Sequence, residues 1–179
     1  MRTITTETKV YSFSELSEQG QQKAIENNCY INTEYEWWDF TYSDAKEIGL
    51  KIDGFDLDRN KHATGEILVS ANDSANKIIT IHGKESNTYS IASEFLSEWA
   101  KRVEYYSDGI TKDQVTEDNE RDFDNDADDL ESYFLNNLLK EYANILQNEY
   151  DHRTSSKAIK ETLIDNNYEF TEEGNIFNY

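Results

Sequence analysis

Two groups of residues in this chain have types and spacing that could do chemistry. The first is Asp56-Leu57-Asp58, where an alternating stretch comes to its end. A close carboxylate pair at a strand end can hold Mg²⁺ for phosphoryl or glycosyl chemistry. Aspartate is also common in hairpin turns, and neither a phosphate-binding glycine loop nor a dinucleotide fingerprint accompanies the pair. The second group runs from Glu120 to Glu131. With Glu120 as position one of a calcium loop, Asp122, Asp124, Asn125, Asp128 and Glu131 fall at positions three, five, six, nine and twelve. Asparagine at six tolerates the left-handed geometry that glycine usually supplies there. Glutamate is a poor first ligand, however, and no convincing helix precedes the loop, so no metal is expected.

The remaining candidates are weaker. His62, His82 and His152 have no His or Cys partner at metal-ligand spacing and read as surface or cap residues. Cys29 lacks a nucleophile signature and reads as a buried apolar residue. Trp37 and Trp38 are adjacent on an expected helix, about 100° apart, so at most one faces the centre of the core. The other is a partly buried anchor or a binding hot spot. These residues define no reaction: the chain is expected to be non-enzymatic and to need no cofactor.

The elements that would position such groups follow from the apolar pattern. Thr8 to Phe13 alternates like a short strand, and Ser17 can cap a helix to about Asn28 with Ala24 and Ile25 inward. Gly20 weakens that helix slightly. A second helix is predicted over 34–48 from Trp38, Tyr42, Ala45 and Ile48, with Gly49 as its stop. Leu50 to Asp58 reads as a strand with a bulge at Gly54, 59–63 as a turn, and 64–70 as the antiparallel partner. Helices follow: 71–82 capped by Ser70, then 87–106 with Tyr89, Ala92, Phe95, Leu96, Trp99 and Val103 on one stripe. The strongest, 127–150, carries Leu130, Phe134, Leu138, Tyr142 and Ile145 in one row. A last helix over 155–166 leads to extended pieces at 168–170 and 176–177 around Gly174. This mixture predicts an α+β fold. A small antiparallel sheet, made of the N-terminal strand and the hairpin, would be packed by helices. With no proline and seven scattered glycines, no linker marks a boundary, and one domain over 1–179 is expected.

Charge is the strongest compositional feature. Thirty-seven acidic against seventeen basic side chains give −20. Phosphate backbones and anionic membranes both need a basic footprint, so direct nucleic-acid or membrane binding is disfavoured. Cationic protein surfaces are favoured, including the grooves of proteins that hold nucleic acid. A single cysteine, no apolar run near 20 residues and no apolar signal region point to a reducing cytoplasm.

Residues 113–131 hold ten acids and one base, Arg121, for a net −9; the rest of the chain is −11. Such a run is expected to be solvated or mobile, its last carboxylates facing the positive N-terminus of the 127–150 helix. Alternatively it forms a docking surface for a basic cleft. In that reading the partner-binding residues are Asp113, Glu117, Asp118, Glu120, Asp122, Asp124, Asp126, Asp128, Asp129 and Glu131.

Several segments are also similar to a known group. Tyr11-Ser-Phe-Ser-Glu-Leu-Ser-Glu-Gln19, Gln22-Lys-Ala-Ile-Glu26, Glu36-Trp-Trp-Asp-Phe40 and Asp44-Ala-Lys-Glu-Ile-Gly-Leu-Lys-Ile52 resemble small proteins of bacteriophage and prophage genomes. Phe55-Asp-Leu-Asp-Arg59, Ser70-Ala-Asn72 and Tyr168-Glu-Phe-Thr-Glu-Glu-Gly174 extend the likeness in the same order. Some members carry the label of a toxin–antitoxin stability antitoxin. At Thr154-Ser155-Ser156-Lys157 this chain departs from the family's Thr-Ser-Asp-Glu and loses a capping-box acid. The resemblance implies a phage-encoded accessory protein, and small acidic proteins of that kind often block host nucleases by imitating nucleic-acid charge. The expected function is inhibition of a host defence complex in the bacterial cytoplasm, a CRISPR effector being the favoured target because its channels are basic. An antitoxin-type binding protein and a metal-dependent enzyme using Asp56 and Asp58 are the alternatives.

Overall fold

Alternating and helical apolar patterns produce the α+β fold that the sequence predicts. The computed structural model describes residues 1–3, 7–107 and 117–177, with side chains described outside 107–121. In chain order the elements are β1 (Tyr11–Ser12), α1 (Glu18–Asn27), α2 (Asp39–Glu47), β2 (Leu50–Asp56) and β3 (His62–Ile67). Then come α3 (Ala71–Ile81), α4 (Asn87–Ser107), α5 (Glu117–Arg153), α6 (Ser156–Asp165) and β4 (Glu169–Phe170). The chain forms two compact units, one of Met1–Trp37 with Asn148–Tyr179 and one of Trp38–Gln147. No linker announces this division because α5 runs without a break past Gln147. Among the described residues no helix is long and apolar enough to cross a membrane.

In the Trp38–Gln147 unit the hairpin pairs Leu50 with Ile67, Lys51 with Glu66 and Ile52 with Gly65, then shifts register between Ile52 and Gly54. The expected bulge is therefore present. Gly49 sits at φ +85°, and a Cβ there would meet Val69 Cγ2 at 2.6 Å, so only glycine can end α2 and start β2 in this way. The sheet's inner residues Leu50 and Ile52 join Ile48, Ile78, Phe95, Phe134, Leu138 and Tyr142 in one core. Each large apolar side chain buried there contributes about 1.5–3 kcal/mol of transfer free energy. Helix α2 starts at Asp39 rather than near Glu34, because Thr33 to Trp38 is taken up by turns such as Trp37 N–H to the Tyr35 carbonyl at 2.7 Å.

The other unit corrects the expected sheet. Strand β1 pairs with β4, Tyr11 opposite Phe170 and Ser12 opposite Glu169, and not with the hairpin. The physical reason is Phe13. It turns the chain into a short 3₁₀ segment and packs edge-to-face on Phe170 at 6.1 Å. With Leu16, Ala24, Ile159 and Leu163 these rings form a second core. The Ser17 cap forms as expected, its side chain accepting from Gly20 N–H, and Ser155, expected as the first residue of the last helix, is instead its cap and accepts from Ala158 N–H. Gly20 proves to be a packing residue: a Cβ there would lie 3.2 Å from the Glu172 carbonyl oxygen.

Candidate functional site

The largest departure from expectation lies in the acidic segment. Residues 117–131 are not a loop but the first turns of α5. Aspartate is a poor helix former and like charges one turn apart repel, so propensity does not account for this. Tertiary contacts do. On α5, Phe123 packs edge-to-face on Trp99 at 6.2 Å and on Tyr106 at 5.2 Å, both from α4. Further along, Phe134 stacks on Phe95 at 4.4 Å, and Leu130 is buried in the same core. The Tyr106 hydroxyl donates to Asp126 Oδ2 at 2.9 Å. That hydrogen bond, reinforced by the charge of Asp122, holds the Tyr106 phenol above its ordinary range.

With Phe123, Leu130 and Phe134 turned to α4, the 100° step of the helix sorts the carboxylates into two rows. Asp122, Asp126 and Asp129 flank the apolar seam on one side, and Asp124, Asp128 and Glu131 on the other. Asp122, Asp124, Asp126, Asp128 and Asp129 are exposed and Glu131 is half-buried. Glu117, Asp118 and Glu120 belong to the same helix, their side chains outside the described set, and Asp113 lies outside the described residues. The six carboxylates from 122 to 131 occupy about 13.5 Å of helix axis at 1.5 Å per residue, or one per about 2.3 Å. Duplex DNA carries one per about 1.7 Å. The rows, taken together, thus approach the linear charge density of a nucleic acid on one helix.

The residues of the calcium-loop pattern lie on this continuous helix. The loop needs a tight turn that wraps six oxygens around one ion, whereas a helix distributes the same side chains around its circumference. Among the described residues no three His, Cys, Asp or Glu side chains gather as a metal site. The Asp56-Leu57-Asp58 motif has a structural role as well: the Asp58 N–H donates to Asp56 Oδ1 at 2.7 Å, a side-chain turn that closes the hairpin. His62 similarly approaches the Asn60 carbonyl at 2.7 Å, and Cys29 is half-buried at the edge of the second core. The two tryptophans separate at the division between units. Trp37 is buried and packs on Tyr150 at 5.8 Å, while Trp38 packs on Phe55 at 5.6 Å.

Sequence reading missed one polar network. Asp44 Oδ2 accepts from the fully buried Tyr142 hydroxyl at 2.7 Å, and Asp44 Oδ1 lies 3.5 Å from His82 Nε2. His82 Nδ1 in turn meets Thr88 Oγ1 at 2.7 Å. Burial, then the bond to Asp44, pushes the Tyr142 phenol far above its usual range. A hydroxyl, an imidazole and a carboxylate in line suggest nucleophile chemistry, but Thr88 is 3 % exposed and Tyr142 0 %. The network therefore ties α2, α4 and α5 to His82, the residue that follows α3. Its only sequence signal is His82 just before Gly83, because its partners are remote in the chain. In the other unit, buried Asn32 donates to the Arg153 carbonyl at 3.0 Å and accepts from the Thr162 hydroxyl at 2.7 Å. Arg153 is itself held by Glu149 at 2.7 Å and the Tyr35 hydroxyl at 3.0 Å. Set beside protein-family models, curated proteins and solved structures, the chain finds no match in any of the three.

Proposed function

We propose that this protein acts by binding, and that the acidic first half of α5 occupies the basic groove of a nucleic-acid-binding protein in place of nucleic acid. The observation that carries the reading is the pair of carboxylate rows on a helix pinned by the Phe123 seam. A segment that is already helical loses less conformational freedom on docking than one that must fold on its partner. An overall charge of −20 adds long-range steering toward cationic surfaces.

The likeness to small phage and prophage proteins supports a narrower version, in which the target is a host defence nuclease complex and the protein is its inhibitor. A CRISPR effector offers the strongly basic channels that such a rod would fill. The test is inhibition of a candidate effector from the same host, with wild type and an Asp122→Asn, Asp124→Asn, Asp126→Asn, Asp128→Asn variant side by side. Loss of inhibition in the quadruple variant alone supports the reading. Equal inhibition by both removes the acidic rows from the mechanism, and no inhibition by either leaves an antitoxin-type partner as the better account.

A further inference from the structure

We propose that the groove between α4 and α5 beside the acidic rows receives one arginine side chain of the basic partner. The inference rests on the reading of α5 as a docking element and names the chemistry of the contact. A cavity of about 30 Å³ opens there. By the measure in which one water needs about 10–15 Å³, it has room for about two waters, so only the tip of a side chain would enter and the rest would lie across the rim. Phe95, Leu130 and Phe134 make its floor, the two rings being stacked at 4.4 Å. Glu94, Glu98 and Tyr133 make its rim. Tyr133 is 58 % exposed, although a large aromatic side chain on a helix usually turns inward.

Each component suits a guanidinium more than an ammonium. The floor accepts the apolar faces of a planar, weakly hydrated cation, and the exposed Tyr133 ring offers a stacking surface. Of the two rim carboxylates, one helical turn apart on α4, Glu98 already holds Lys101 and Arg102, which leaves Glu94 to meet the incoming N–H donors. Glu98 accepts from Lys101 Nζ at 2.7 Å and lies 3.7 Å from Arg102 Nη1. Its carboxyl is thereby held below the ordinary range, first by the Lys101 hydrogen bond. A bare row of carboxylates would attract lysine and arginine alike; an aromatic rim over an apolar floor discriminates between them. The contact would fix the register of the acidic rod in its groove, which charge alone does not do.

The experiment measures anisotropy of fluorescent nona-arginine and nona-lysine peptides with the full chain at about 0.15 M salt, where long-range attraction is screened beyond about 8 Å. Wild type should prefer the arginine peptide by about fivefold, the scale of an exposed cation–π contact. Tyr133→Ala and Glu94→Gln should each bring the ratio close to one, and Tyr133→Phe should keep it. Both positions are exposed, so these variants should retain the wild-type circular dichroism spectrum. The quadruple Asp→Asn variant should weaken both peptides in parallel and leave the preference intact. Equal binding of the two peptides, or a preference unmoved by Tyr133→Ala, overturns the arginine pocket even where the quadruple variant shows the acidic rows at work. A Tyr133-dependent preference with no effect of the quadruple variant keeps the pocket and overturns the acidic-row reading. Failure of both peptides to bind overturns both.

Discussion

Phe123→Ala should melt the acidic start of α5 while leaving the core in place. Within 122–131, four like-charge pairs stand one turn apart: Asp122 with Asp126, Asp124 with Asp128, Asp126 with Asp129 and Asp128 with Glu131. At about 0.2–0.5 kcal/mol per pair they oppose the helix by roughly 0.8–2 kcal/mol at low salt. Phe123 is half-buried against Trp99 and Tyr106. Truncating a fully buried phenylalanine costs about 3–5 kcal/mol, so about 2 kcal/mol is expected here. Removing the ring thus cancels what holds the charged turns together. Amide hydrogen exchange at low salt should show protection lost over 117–127 and kept over 138–146, where Leu138, Tyr142 and Leu146 are fully buried. Raising the salt should restore part of the protection by screening the repulsion. Unchanged exchange over 117–127 would mean that some interaction other than the aromatic seam maintains the acidic helix.

The quadruple Asp→Asn variant should be more stable than wild type by about 1 kcal/mol in urea denaturation, since it removes at least one charge from each of these four pairs. Asp44→Ala should cost more than Tyr142→Phe. The first strands a buried hydroxyl, at about 1–3 kcal/mol, whereas the second releases a half-exposed carboxylate to water. Alkaline pH should expose the raised Tyr142 phenol: the unfolded chain releases this proton near pH 10 and the folded chain keeps it. Stability below that pH is therefore intact and falls above it, by about 1.4 kcal/mol per pH unit for this one group, and Tyr142→Phe should remove that share of the slope. Gly49→Ala should lower the urea midpoint by more than 1 kcal/mol equivalent, roughly the cost of a strained left-handed alanine plus the Val69 clash.

Local signals carried most of the fold. Ser17 and Ser70 each cap the helix that the sequence assigns to them, and Gly49 ends α2 with positive φ. The period-two stretch from Leu50 fixes the hairpin and its bulge. What the sequence hides is long-range. The partner of β1 lies at the far end of the chain, and a two-residue strand has too little pattern to name it. The helical state of 117–131 is hidden for a related reason. Its composition argues for a solvated run, and only Phe123, Leu130 and Phe134, taken with Trp99 and Tyr106 on another helix, reverse that argument. The Asp44–His82–Tyr142 network is invisible in the same way, its members lying on two helices and at the end of a third until packing joins them. Of the expected partner-binding residues, the structure places Asp122, Asp124, Asp126, Asp128, Asp129 and Glu131 around one helix.

The most direct measurement of the central claim is competition for a basic groove. Labelled RNA or DNA bound to a host nuclease complex is followed by anisotropy while this protein is added, across salt concentrations from about 0.05 to 0.2 M, where charge-driven binding changes most. The account expects the nucleic acid to be displaced, the displacement to weaken steeply with salt, and the quadruple Asp→Asn variant to associate more slowly with little change in dissociation. The protein alone should bind neither nucleic acid, given its charge of −20. Inhibition with the nucleic acid still in place, or equal displacement by wild type and variant, would contradict it.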